Sequence, residues 1–298
     1  MSRALRVATR GSALARWQAE HVVAHLGVPA ELVIVSTTGD RDRTSALHAI
    51  GGTGVFVKEI QDAVRRGDAD LAVHSAKDLP AETPDGLWIA AIPERADARD
   101  ALVGSTLAAI PDGGTVATGS VRRRAQLAAA RPDLGFAELR GNVPTRVERA
   151  DEFDAIVLAL AALERLELTD HVAEVLDPDV MLLMVGQGAL AVECRADDAG
   201  VLDALAGLDH APSHRAVAAE RAFLRELGGG CTMPCAAYAS VADDDTVWID
   251  ALLASLDGRT VVRTVESGTD SEVLGAGVAR RILDDLGGSA LLTTEAGA

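Results

Sequence analysis

Lysine is almost missing from this 298-residue chain: Lys58 and Lys77 are the only two, and every other basic residue is an arginine. Positive charge is short overall. The 28 basic residues face 45 acids, a formal charge of −17, which argues against a general binder of nucleic acid or anionic membrane, since these carry a basic face. An acidic surface nearly free of lysine fits a salt-rich cytosol, where charge maintains solubility; a GC-rich genome that writes Arg for Lys is the other source of the same bias. Aromatic residues make up only 3%, so the core must be built from Val, Leu, Ile and Ala, and 48% apolar residues are enough to form one. Long apolar runs are absent too. The longest, AIVLALAAL at 155–163, is far too short to span a bilayer, and MSRALRVATRGSALARW lacks the apolar core of a signal peptide. The expectation is a cytoplasmic protein whose thiols are reduced.

What is present is a rhythm of short β-rich runs and helical patterns. LRVAT, ELVIVST, LAVHS and LWIAAI read as strands, SALARWQAEHVVAHL as a helix capped by Ser12, and VFVKEIQDAVRRG as a helix closed by Gly67. The rhythm restarts with TVATG, SVRRRAQLAAA, AELR, VPTRVERA, DAIVLAL and AALERLEL. Two α/β lobes with mainly parallel sheets follow, with ligands expected at the carboxyl ends of the strands and in the cleft between lobes. From 213 onward the pattern changes to a helix, three antiparallel strands (CAAYASV, TVWIDALLAS, RTVVRTVES) and a final helix, an α+β module.

Charge is unevenly placed. Seven arginines, at 122, 123, 124, 131, 140, 146 and 149, face three acids between Thr118 and Arg149, a local excess of four inside an acidic protein. Arg122 and Arg123 fall in the first turn of a helix after Gly119-Ser120, and Arg140 ends a predicted strand. Helix N-terminal amides and guanidinium forks both favour anions, so this region reads as a site for a ligand with several carboxylates or phosphates. Arginines pairing with surface acids are the ordinary alternative. In AVHSAKDLP a buried-type strand runs into His74-Ser75, then Lys77-Asp78. A compact ammonium beside a carboxylate at a strand end can do acid, base or cation-stabilising work; a structural ion pair at a turn is the alternative. Arg10 and Ser12 stand at the end of the first strand and the start of a helix, again an anion-site geometry. The segment GDRDRTSALHAIGGTGVF, residues 39–56, reads as a lid or an ordinary loop.

Cys231 and Cys235 are four apart, Cys194 is remote, and no histidine lies near them, which is poor zinc spacing. Three glycines lead into Cys231, a loop able to carry a thiol into a cleft; a buried structural cysteine is the commoner use.

The segments ATRGSALARWQ, GGTGVFVKEI, LAVHSAKDLP, GSVRRRAQL, LRGNVPTR, LALAALERL, VGQGALAVECR and GGGCTMP together resemble the porphobilinogen deaminase (hydroxymethylbilane synthase) family, in the family's order and from residue 5 to about 240. The resemblance implies two solute-binding-protein-like α/β lobes plus a C-terminal α+β domain with a three-stranded antiparallel sheet. It places the lobes at 1–95 with 188–208 and at 96–187, and the last domain at 209–298. It implies a transferase that joins four porphobilinogen molecules with loss of ammonia and releases hydroxymethylbilane by hydrolysis. The cofactor would be dipyrromethane, held by a thioether to Cys231. The implied catalytic residue is Asp78. The implied cofactor contacts are Lys77, Asp78, Ser120, Arg122, Arg123 and Gly188; Arg10, Ser12, Ser75, Thr118, Arg140, Arg146, Arg165 and Gln187 would hold substrate. The partners implied are porphobilinogen and the growing oligopyrrole, with no nucleic acid or membrane, and the enzyme is expected to be a monomer. The sequence departs from the family at Thr53, where lysine is common, at Gly119, where serine is common, and at Pro144 and Ala162, where glycine is common. A binding protein for an anionic ligand would need an export signal and leave Cys231 idle. A nucleotide enzyme would need a phosphate loop, and none is present.

Overall fold

The structure, a computed structural model, describes residues 3–37, 57–229 and 233–293. The chain divides into two compact units, residues 1–96 with 189–214 and residues 97–188 with 215–298. The first unit opens with β1 (Leu5–Thr9), α1 (Ala13–His25), β2 (Ala30–Ile34), α2 (Lys58–Arg65), β3 (Leu71–Ser75) and β4 (Leu87–Ala91). Ser12 starts α1: its hydroxyl accepts from the amide of Ala15 at 3.3 Å. Gly67, at φ +76°, ends the turn after α2 in the left-handed conformation that glycine adopts without strain.

The second unit begins with β5 (Asp100–Val103), β6 (Thr115–Ala117), α3 (Val121–Ala130), β7 (Gly135–Ala137), α4 (Val143–Glu148), β8 (Ala155–Ala159), α5 (Leu160–Arg165) and β9 (Val172–Val175). Ser120 caps α3, and Asn142 caps α4 with Pro144 in the first turn, where its missing N–H costs nothing. β7 covers residues 135–137 and not the run AELR: Glu138 is exposed and Arg140 half-buried, so only Ala137 of that run pairs, with Ala117.

The chain then returns to the first unit as β10 (Leu190–Arg195) and α6 (Ala199–Leu205). The first sheet has the order β2-β1-β3-β10-β4 and the second β7-β6-β8-β5-β9. In each, one strand runs against both neighbours, β10 in the first and β5 in the second, and the rest share one direction. The mainly parallel reading therefore holds, with one reversed strand per sheet that the apolar rhythm did not reveal. β8 is buried along its whole length, as a strand covered on both faces must be.

The helix α7 (Ala211–Glu226) carries the chain back to the second unit, followed by β11 (Cys235–Val241), β12 (Val247–Ala254), β13 (Val261–Gly268) and α8 (Ser271–Arg280). The strands form an antiparallel meander in the order expected. One face packs on α7 and α8 through Phe223, Ile249, Leu253 and Val278, all at most 1% exposed. At the other face, Ala236, Leu252 and Ala254 pack on Ala125, Leu182 and Leu183. Gly258, in the β12–β13 turn at φ +71°, lies so close to α3 that a Cβ there would sit 2.3 Å from the carbonyl oxygen of Ala125.

Candidate active site

The residues singled out from sequence fall in both units, and each group has its own structure. In the first unit, β3 ends at Ser75 and a 3₁₀ turn, Ala76–Asp78, follows. Arg10, Ser12, Gln18, His74, Ser75 and Asp78 line a small pocket whose apolar wall includes Ile60 and Val73. This is the strand-end position that the α/β architecture favours. The Ser75 hydroxyl is fixed by Gln18, whose Nε2 lies 2.9 Å away, so a buried amide on α1 orients the residue three before Asp78. Lys77 is half-buried beside the pocket and not part of its lining.

In the second unit the centre is Asp100, at the start of β5 and fully buried. Its Oδ2 meets Nη2 of Arg122 and its Oδ1 meets Nη2 of Arg123, both at 2.7 Å. Gln187 donates to Asp100 Oδ1 at 2.9 Å and to the carbonyl of Ala98 at 2.7 Å. Each guanidinium also reaches backbone: Arg122 Nη1 donates to the carbonyl of Leu182 and Arg123 Nη1 to that of Val157. Burial works to raise the Asp100 pKa, but Arg122 and Arg123 together outweigh it and hold the carboxyl well below the ordinary range. Two buried guanidiniums thus share one carboxylate, and the Nε of each has no hydrogen-bond partner among the described residues.

Around this centre, Thr118 is buried and its hydroxyl accepts from the Ser120 amide at 3.2 Å, while the Ser120 hydroxyl accepts from the Arg123 amide at 3.4 Å. Arg146 donates to the carbonyl of Gly141 at 2.7 Å, and Arg140 lies 3.7 Å from Glu138. Arg165 donates to the carbonyl of Gly188 at 2.7 Å, and burial pushes it down to about 10. Arg131 and Arg149 have local carboxylate partners, Asp133 and Glu152, the ordinary role of surface arginines. Asp100 and Gln18 were not visible as site residues from sequence. An acid opening the apolar run DALV was the only signal for the first, and nothing marked the second.

Cys231 and the segment 39–56, read as a lid or an ordinary loop and including Thr53, lie outside the described residues. Cys194 and Cys235 are buried, and burial pushes the Cys194 thiol up to about 11, which suits a packing role. Among the described residues no helix is long and apolar enough to cross a membrane.

Residues 5–203 match the family profile "Porphobilinogen deaminase, dipyromethane cofactor binding domain", and residues 214–284 match "Porphobilinogen deaminase, C-terminal domain". A porphobilinogen deaminase of Trichlorobacter lovleyi is 45% identical, over 97% of this chain and 95% of its own. One of Roseiflexus castenholzii is 46% identical, over 98% of this chain and 99% of its own. Among solved structures, an arginine-specific periplasmic binding protein of Salmonella typhimurium aligns at a TM-score of 0.38 with 15% identity, over 70% of this chain and 92% of its own.

Proposed function

The chain belongs to the porphobilinogen deaminase family, the dipyrromethane-dependent transferases of tetrapyrrole biosynthesis, and from that premise we propose how its residues divide the work. The observation that carries the proposal is the charge at Asp100. Two buried guanidiniums against one carboxylate leave an excess positive charge, and among the described residues two buried Nε–H groups lack partners. A second carboxylate supplies what is missing, and each ring of the dipyrromethane bears an acetate and a propionate. The residues therefore fit the group. Bound through Cys231, it supplies the terminal pyrrole to which porphobilinogen units are joined.

Arg122, Arg123 and Ser120 hold cofactor carboxylates on the α3 side, with Lys77, Asp78 and Gly188 as the other contacts. Asp100 and Gln187 keep the two guanidiniums in place. Arg10, Arg140, Arg146 and Arg165 take the acetate and propionate groups of substrate and growing chain. The hydroxyls of Ser12, Ser75 and Thr118 position ligands while also serving the local backbone. Asp78 assists the loss of ammonia and stabilises the positive charge that develops on the pyrrole nitrogens, an electrostatic role for a carboxylate fixed in place beforehand. The local excess of arginine answers a ligand that gains negative charge with each ring. The proposal includes three domains, residues 1–95 with 188–208, 96–187 and 209–298, and a cytoplasmic enzyme acting as a monomer.

The test is the intact mass of the denatured protein beside that of Cys231→Ser. An excess equal to two substrate-derived pyrrole rings, absent from the serine variant, supports the tether. An unmodified mass that stays unmodified after incubation with porphobilinogen removes it.

A further inference from the structure

The first unit contains a buried ionisable pair that these roles leave unused. Side chains alternate along β3: Leu71 and Val73 enter the apolar cluster with Ala19 and Val22 of α1, whereas Ala72 packs with Ile60 and Val64 of α2. His74 shares the parity of Ala72. On β10, Val192 and Cys194 belong to the α1 cluster, so Glu193 takes the opposite face. Ala72 stands opposite Glu193 and His74 opposite Ala191, which makes His74 and Glu193 diagonal neighbours on one face of the sheet.

His74 Nε2 lies 3.4 Å from Glu193 Oε2, with side chains 3% and 1% exposed. The other Glu193 oxygen accepts from Gln61 Nε2 of α2 at 3.0 Å. Neither of the two facing atoms has a hydrogen-bond partner among the described residues, so they approach each other at an ion-pair distance. The ionisable groups around them have other places. Arg195, farther along β10, donates to the carbonyls of Val64 and Ala69 and pairs with Asp198. On α2, Asp62 pairs with Arg65, Lys58 is exposed and Glu59 half-buried. Ala8 of β1 and Leu87 of β4 bring no charge. Arg10 and Asp78 face the pocket that His74 also lines. Among the described residues an amide and an imidazole face this buried carboxylate, and a proton shared with the imidazole would offset the cost of burying its charge.

We propose that His74 and Glu193 hold one proton between them and form the proton store of the Asp78 pocket, Glu193 being a positioning residue that acts through the imidazole. This rests on the reading that the pocket is where condensation occurs. In each condensation the aminomethyl C–N bond breaks and a C–C bond forms. The attacking ring carbon loses its hydrogen as a proton, and the nitrogen departs as ammonia with one more hydrogen than the amine carried. One proton therefore moves per cycle, from ring carbon to nitrogen, and the two events are separated in time. The store lends the proton when ammonia leaves and recovers it when the ring carbon is deprotonated.

The test combines nitrogen-15 imidazole NMR of the cofactor-loaded protein with pH–rate profiles. The expected result is a slowly exchanging, downfield Nε2 proton in the wild type, assigned by its loss in His74→Gln and moved upfield in Glu193→Gln. Turnover of Glu193→Gln should fall about tenfold with KM within about twofold and with an altered pH profile, and Glu193→Asp should restore part of both. Absence of the downfield proton in the wild type overturns the proposal even if neither variant folds. A Glu193→Gln profile superimposable on the wild type overturns it as well. Normal turnover in Asp78→Asn would remove the pocket from the reaction while leaving the NMR signal intact, so the two failures are distinguishable.

Discussion

Asp100 and Arg122 face each other at 2.7 Å with side chains no more than 4% exposed, and Arg123 occupies the second oxygen of the same carboxylate. Asp100→Asn would leave two buried guanidiniums without a counter-charge. The expected cost is about 3–5 kcal/mol, read from urea unfolding. The effect depends on pH in a defined direction. The folded-state pKa of Asp100 is depressed, so its stabilisation is complete above the unfolded value of about 4 and is lost as pH falls toward the folded one. The difference between wild type and variant should be constant near neutrality and shrink below about pH 4. A gap that persists unchanged at lower pH would show that the carboxylate charge is not its source.

Asp78→Asn preserves shape and removes the charge. We expect the cofactor mass and the melting temperature to be retained and turnover to drop on the order of a hundredfold or more. Near-normal turnover in a variant that carries cofactor would take Asp78 out of the chemistry.

Arg140 is half-buried, and the exposed acid Glu138 lies 3.7 Å away. Arg140→Leu should raise KM about tenfold, the scale of one charge-assisted hydrogen bond, with little change in stability. Steady-state kinetics at low and high salt decide it: identical constants in both would contradict a carboxylate contact.

Gly258→Ala tests packing and not charge. The added Cβ would meet the Ala125 carbonyl at 2.3 Å and the Ala129 amide nitrogen at 2.8 Å, and φ +71° disfavours any side chain. A loss of about 2–4 kcal/mol is expected from overpacking and the left-handed backbone together. An unchanged melting temperature would mean that the turn can lift from α3 at no cost.

Much of this was legible in the sequence, because local signals and the final structure agree. LRVAT, LAVHS and CAAYASV occupy β1, β3 and β11 residue for residue, and Ser12 and Gly67 act at the helix ends they marked. β5, β9 and β10 were missed for a physical reason. DALV and VAEV are too short to show a period, and LAVECR carries Glu193 into the core, which breaks the apolar pattern of a strand. At the site, motif residues were found and their partners were not. Arg122 and Arg123 signalled an anion, but the anion in the chain itself, Asp100, reads locally as one of the two acids in ADARDALV. Long-range pairing leaves no local trace, and the His74–Glu193 contact is hidden for the same reason.

The position of β10 has a consequence for how the protein is made. It lies between β3 and β4, and among the described residues β4 has no other strand neighbour. On a ribosome, then, β4 emerges roughly a hundred residues before β10, and the chain must complete β5 to β9 in the meantime. Until β10 arrives, β3 offers an open edge with unpaired amides and carbonyls, the kind of surface to which other nascent chains add. The first unit to be synthesised is therefore not the first able to close, and a brief, vulnerable half-sheet is built into the order of the chain.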